Sequence, residues 1–161
     1  MLREAEKELI IMSAQGAVNQ VIPYHPNLIE SLKRDEGFRK FPYRCPAGKL
    51  TIGYGFNLDD EGIDEDIADF WLIYKVKKFE AELAKNFPTY RVLDAARQDV
   101  LCNMAYNLGI SRFMGFRQML AAIERNDYVT AAKEMLNSSW AQQVGFRAQR
   151  LAHIMEFGGQ G

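Results

Sequence analysis

Hydrophobic and polar positions change period twice along this chain. Leu28, Ile29 and Leu32 make a short apolar stripe ahead of Gly37, behind Asn27 and Glu30 spaced as a capping box. That pattern predicts a helix ending at Glu36. From Phe38 to Leu58 the period shortens: Phe41, Tyr43, Leu50, Ile52, Tyr54 and Phe56 alternate around the turn formers Pro46, Ala47 and Gly48. A small, twisted hairpin or sheet follows. A helical pattern returns from about Glu65 to Lys85, stopped before Pro88. At about 1.5 Å per residue it would span roughly 30 Å, enough to join two lobes.

The second half is helical throughout. Leu93, Val100, Leu101, Met104, Ala105 and Leu108 recur at helical spacing behind Asp94 and before Gly109, as the most apolar helix of the chain. Further helices are expected from about Phe113 to Glu124, Tyr128 to Asn137 and Phe146 to Phe157, with Ser138, Ser139 and Gly145 as breaks. The expected architecture is α+β: a small β lobe over about 38–63, a connecting helix over about 65–85 and a larger helical lobe over about 90–161. Residues 1–26 read as an arm outside the 27–161 domain, because Pro23 and Pro26 interrupt any continuous helix.

Composition narrows the function more than the fold. At 161 residues, with 48% apolar and 25% charged positions, the chain is an ordinary globular domain. A net charge of −1 offers no basic field for nucleic acid. Cys45 and Cys102 form no CxxC pair and read as two reduced thiols. His25 and His153 lie too far apart in sequence to suggest a zinc site, so no metal is expected. Arg3, Glu4, Glu6, Lys7 and Glu8 occupy the place where a signal peptide needs an apolar run, and nothing reads as a membrane span. The acidic cluster Asp59, Asp60, Glu61, Asp64, Glu65 and Asp66 precedes a helix whose later turns carry Lys75, Lys77, Lys78 and Lys85. Complementarity to the helix dipole explains that polarity without a metal.

The chemistry gathers in EGFRKFPYRCPAGKLTIGYG, residues 36–55. Glu36 closes its helix, so its carboxylate faces the partial negative charge of the C-terminal end, and entry into a dry cleft would further favour the protonated form that a general acid needs. Gly53 and Gly55 let backbone approach closely or bend a strand. A dinucleotide loop is excluded, because GYGFNL lacks the third glycine and the following helix.

This stretch resembles the catalytic segment of the phage-type lysozymes, the glycoside hydrolase family of muramidases. In them a helix ending in Glu-Gly leads through Tyr to Asp, or sometimes Cys, and then to Thr-Ile-Gly-x-Gly. ARQDVLCNMAYNLG, residues 96–109, is similar to the family's buried central helix, and SSWAQQVGFRAQR, residues 138–150, to its Ser-x-Trp and Arg-Ala-x-Arg segment. By position the resemblance implies a catalytic acid at Glu36, a second catalytic group at Cys45 and a water-aligning hydroxyl at Thr51. It also implies cleft contacts at Tyr106 and Asn107, and at Arg147 an arginine that pairs with the acid. From residue type alone, Thr51 also reads as a β-former, Tyr106 as core and Arg147 as a solvated helix charge, while Trp140 reads as a core anchor.

The implied reaction is hydrolysis of the β-1,4 bond between N-acetylmuramic acid and N-acetylglucosamine in peptidoglycan, by a monomer without cofactor. The implied setting is phage endolysin work: host cytoplasm first, then the wall after membrane permeabilisation, without stable membrane insertion. Cys45 is the departure. A thiol of pKa about 8.5 is mostly protonated at neutral pH, and three roles stay open: orienting water with Thr51, attacking carbon as thiolate, or marking a weakened enzyme. Phe56 and Asn57 stand where the family often has His, and only eight residues separate Gly55 from Asp64. A lytic transglycosylase, and a non-catalytic wall-binding or virion domain, are the alternatives.

Overall fold

The computed structural model describes residues 25–159. Nearly all of the 1–26 arm lies outside that range. The chain divides between Leu72 and Ile73, within one helix, into two compact units. Among the described residues there are eight α-helices and one three-stranded sheet.

The first unit opens with α1, Pro26–Glu36. It starts two residues earlier than the capping-box pattern suggests: Pro26 is the first helical residue, and His25 rather than Asn27 caps it, without a side-chain bond. Proline suits that position because its fixed φ is helical and its missing N–H has no partner to lose there. Gly37 ends the helix at φ 67°, its N–H bonded to the Lys33 carbonyl. No residue of α1 is buried.

Strands β1 (Arg39–Arg44), β2 (Leu50–Gly53) and β3 (Phe56–Asn57) form an antiparallel sheet in that order. Tyr43 pairs with Thr51 and Arg39 with Gly53, and the register slips between them. Pro42 lies in the slipped stretch, where it has no N–H to give the ladder. Thr51, paired with Asn57 on its other side, is the one buried residue of 25–72.

The acidic cluster corrects one expectation. Asp59 accepts from the Leu50 N–H (2.8 Å) and from Arg44 (3.0 Å), and Asp60 from Lys49 (2.6 Å) and Asn57 (2.8 Å). Those two carboxylates tie the loop to the sheet. Only Glu65 and Asp66 sit in the first turn of α2, Glu65–Asn86, and Lys85 alone in its last.

The second unit is helical. A 3₁₀ turn, Pro88–Val92, leads to α3, Ala95–Leu108, whose N-cap Asp94 accepts from the Arg97 N–H. Then come α4 (Ile110–Phe113), α5 (Arg117–Glu124), α6 (Tyr128–Leu136), α7 (Ser139–Val144) and α8 (Phe146–Phe157). The helix expected from Phe113 to Glu124 is two pieces, because Phe113 ends α4 and a turn over 114–116 separates it from α5. That turn buries Phe113 completely and sets Phe116 edge-on to Trp140. Ser138, expected only as a break, caps α7 by accepting from the Ala141 N–H. Leu83, Leu101, Met104, Ile123, Met135 and Met155 have no exposed area and form the core with Phe113 and Trp140.

Candidate active site

In the first unit, Glu36 is the last residue of α1, and the positive φ of Gly37 turns the chain from helix into β1. Its carboxylate reaches the β2–β3 turn, where Gly55 holds φ 81°. A methyl group at Gly55 would stand 2.7 Å from Glu36 Oε2. The acid and this glycine are therefore in contact. Glu36 is exposed, so the condition of a dry cleft is not met; what constrains it is contact with backbone.

Cys45 follows β1 and begins the turn to β2. Its N–H bonds to the Lys49 carbonyl (3.0 Å), and the Gly48 N–H returns to the Cys45 carbonyl (2.8 Å). Gly48 completes the turn at φ 80°, a conformation glycine takes without a Cβ penalty. The Cys45 thiol is half-buried at this turn. The backbone N–H of Lys49 does most to lower its pKa; burial opposes this, and the Ala47 N–H and Thr51 hydroxyl add to the lowering. Donors aimed at sulfur stabilise the thiolate more than the thiol. Thr51 is buried at 4% exposure, and its hydroxyl also donates to the Lys49 carbonyl at 3.1 Å. One hydroxyl proton serves one acceptor at a time, so Thr51 is a switchable partner for whatever lies beside Cys45. Neighbouring Arg44 is engaged elsewhere, with Asp59 and the Gly48 carbonyl.

The remaining candidates belong to the helical unit. Tyr106, near the end of α3, is 41% exposed and its ring meets Phe79 at 5.6 Å. Asn107 accepts from the indole N–H of Trp140 at 2.9 Å, which supports Trp140 as the core anchor expected of it. Arg147, on the first turn of α8, donates through Nε and Nη2 to Asn103 Oδ1 at 2.9 and 2.6 Å. Asn103 went unnoticed in the sequence; it is one of three amides in that helix, with Gln98 and Asn107, and nothing local sets it apart. Both cysteines are free, and among the described residues no three His, Cys, Asp or Glu side chains converge as a metal-binding group. No described helix is long and apolar enough to cross a membrane.

A family model described as phage lysozyme matches residues 33–153, well over half of the chain and all of the positions discussed above. The chain belongs to the phage lysozyme family. It is accordingly a glycoside hydrolase of peptidoglycan. A probable T4-type lysozyme of Dictyostelium discoideum is 35% identical over 161 residues, spanning 82% of this chain and 95% of that protein. An endolysin of Acyrthosiphon pisum secondary endosymbiont phage 1 is 30% identical over 120 residues, 72% of this chain and 80% of its own. The pre-baseplate central spike protein Gp5 of Enterobacteria phage T4 is 29% identical over 165 residues, but the match covers only 28% of that protein. The family's lysozyme-like fold accords with the small sheet and helical unit described above.

Proposed function

We propose that this lysozyme cleaves the β-1,4 bond between N-acetylmuramic acid and N-acetylglucosamine with Glu36 as general acid and a water held between Thr51 and Cys45 as nucleophile. Glu36 protonates the leaving glycosidic oxygen as positive charge develops on the anomeric carbon. Water then adds to that carbon and passes a proton to the Cys45 thiolate, leaving a reducing sugar end. The Thr51 hydroxyl, free to exchange its acceptor, orients the water, and the donor-rich turn lets Cys45 carry part of the negative charge that a carboxylate would otherwise supply. What supports this reading is the gathering, in one unit, of Glu36 against Gly55 and of Cys45 beside Thr51. Tyr106, Asn107 and Arg147 serve on the substrate side.

The biological setting is host lysis by a phage, supported by the endolysin relative. The enzyme works as a monomer, accumulates in the host cytoplasm and reaches the wall after the membrane is permeabilised. A virion role is the second reading, favoured by the spike relative, in which the matched part is a minor share of the protein.

The deciding experiment is clearing of permeabilised Gram-negative cells by wild type and Glu36→Gln. Wild type clears, and the variant loses about 10²–10⁴-fold, the usual contribution of a general acid. Equal rates, or no clearing by either, exclude the assignment. Mass spectrometry of the released muropeptides distinguishes reducing ends from the anhydro ends of a lytic transglycosylase. With Cys45→Ala, Cys45→Ser and Cys45→Asp, a held water predicts partial activity in Ser, more in Asp, and inversion at the anomeric centre. An isolable glycosyl-enzyme adduct on Cys45 would instead establish covalent attack.

A further inference from the structure

Gly53, Gly55 and Gly62 hold φ values of 67°, 81° and 68°. An L residue at any of them meets a similar backbone penalty. What its side chain would meet differs. A Cβ on Gly62 has nothing within 4 Å. On Gly53 it would stand 2.8 Å from the ring of Phe56, which is 57% exposed and has room to swing. On Gly55 it would stand 2.7 Å from Glu36 Oε2 and 3.3 Å from Glu36 Cδ. That is well inside van der Waals contact, and the obstructed group is the acid itself.

We infer that Gly55 is a positioning residue for Glu36: the volume left by its missing side chain is where the carboxylate rests, and it sets the direction from which the proton is delivered. The inference rests on the reading of Glu36 as general acid. The backbone is poorly placed to give way. Thr51–Asn57 and Ile52–Phe56 pairing holds the β2–β3 turn from both strands, and Arg39–Gly53 pairing secures β1 to the start of the same turn. Glu36 is fixed at its own Cα by the end of α1, whereas its side chain is exposed and has rotamers to adopt. A methyl at Gly55 would therefore rotate the carboxylate. A displacement of about 1 Å is enough to cost on the order of 100-fold in rate while leaving the substrate contacts in place.

The test measures kcat and KM on soluble glycan strands, with thermal melting, for Gly55→Ala, Gly62→Ala, Glu36→Gln and the double variant Glu36→Gln/Gly55→Ala. The expected result is a kcat for Gly55→Ala lowered about 100-fold at a KM within about twofold of wild type. Its melting shift should match that of Gly62→Ala, which carries the backbone penalty alone. The double variant should be no slower than Glu36→Gln, because a group that acts only through Glu36 has nothing left to position. If Gly55→Ala does not fold, Glu36→Asp/Gly55→Ala decides: the acid shortened by one methylene clears the methyl, so this protein should fold, and failure to do so overturns the inference. So does a Gly55→Ala enzyme as active as Gly62→Ala, or a loss carried by KM. Should Glu36→Gln keep wild-type kcat, the general-acid reading fails and takes this one with it. An inactive Glu36→Gln beside a fully active Gly55→Ala defeats the positioning role alone.

Discussion

The two units of this lysozyme are built to different standards of packing. From residue 25 to Leu72 a single residue, Thr51, is buried, while the helical unit holds the whole buried apolar cluster, from Leu83 to Met155. Phe38, Phe41 and Phe56 in the first are 65%, 73% and 57% exposed, whereas Phe113 in the second is fully enclosed. Since burial of apolar area is the main favourable term in folding, stability is concentrated in the helices. The small sheet is held by turns, glycine conformations and carboxylates bonded to backbone and to Arg44 and Lys49. The same unit carries the proposed acid, at the end of α1, and the thiol, just after β1. A region with little buried area opens at low free-energy cost, so the proposed chemistry rests on local covalent geometry and hydrogen bonds, of which the Gly55 contact is one.

The comparison is most sharply tested with one residue type in both places. Phe113→Ala should lower stability by about 3–5 kcal/mol in denaturant unfolding, against less than about 0.5 kcal/mol for Phe38→Ala. Comparable losses would mean that the small unit shares the core. Next in size is Asn107→Leu, which leaves the buried Trp140 N–H without its acceptor and should cost about 1–3 kcal/mol. If Asn107 also meets substrate, KM for glycan rises as well; a stability loss with unchanged KM confines it to anchoring Trp140. Asp94→Ala removes the N-cap of α3 and a partner of Arg97, and should cost about 1 kcal/mol, read as a lowered melting temperature.

The smallest effect is zero at neutral pH and appears only in alkali. Burial, with the charges of Glu80 and Asp99 behind it, pushes the Cys102 thiol up to about 11, and burial pushes Tyr90 up to about 12. Because the folded values are raised, the stability they contribute is complete below the ordinary thiol value of 9.0 and is lost as pH climbs toward the folded values. Melting temperature should therefore fall in that interval, and less steeply in Cys102→Ala. Cys45, with its lowered thiol pKa, behaves oppositely: its thiolate forms below the ordinary value, and its contribution disappears as pH falls through the lowered one. A thiol reagent at neutral pH should accordingly label Cys45 and spare Cys102. Equal labelling would show that the helical unit opens as readily as the small one.

Much of this was legible before folding. The helices over 65–86, 95–108, 128–136 and 146–157 emerged with ends nearly correct, because each spans several turns of consistent period and α3 announces itself with Asp94 and Gly109. Shorter elements escaped. The 3₁₀ turn at Pro88–Val92, α4 and α7 hold four to six residues, fewer than two turns, and a period cannot be read from so little chain. The Asn27–Glu30 capping box misled because Pro26 suits the first helical position, which moves the N-cap back to His25. The acidic cluster misled because Asp59 and Asp60 found partners in the sheet, which bring charge and hydrogen bonding closer than a helix dipole does.

By itself the sequence determined the order of elements, the α+β class and the motif residues, since period, caps and turn formers act between positions a few residues apart. The tertiary structure decided what each motif residue touches. Glu36 meets Gly55 across 19 positions, Asn107 reaches Trp140 across 33, and Arg147 reaches Asn103 across 44. Such contacts depend on where the chain returns in space, and that is set by the packing of many side chains at once, so no local pattern encodes them.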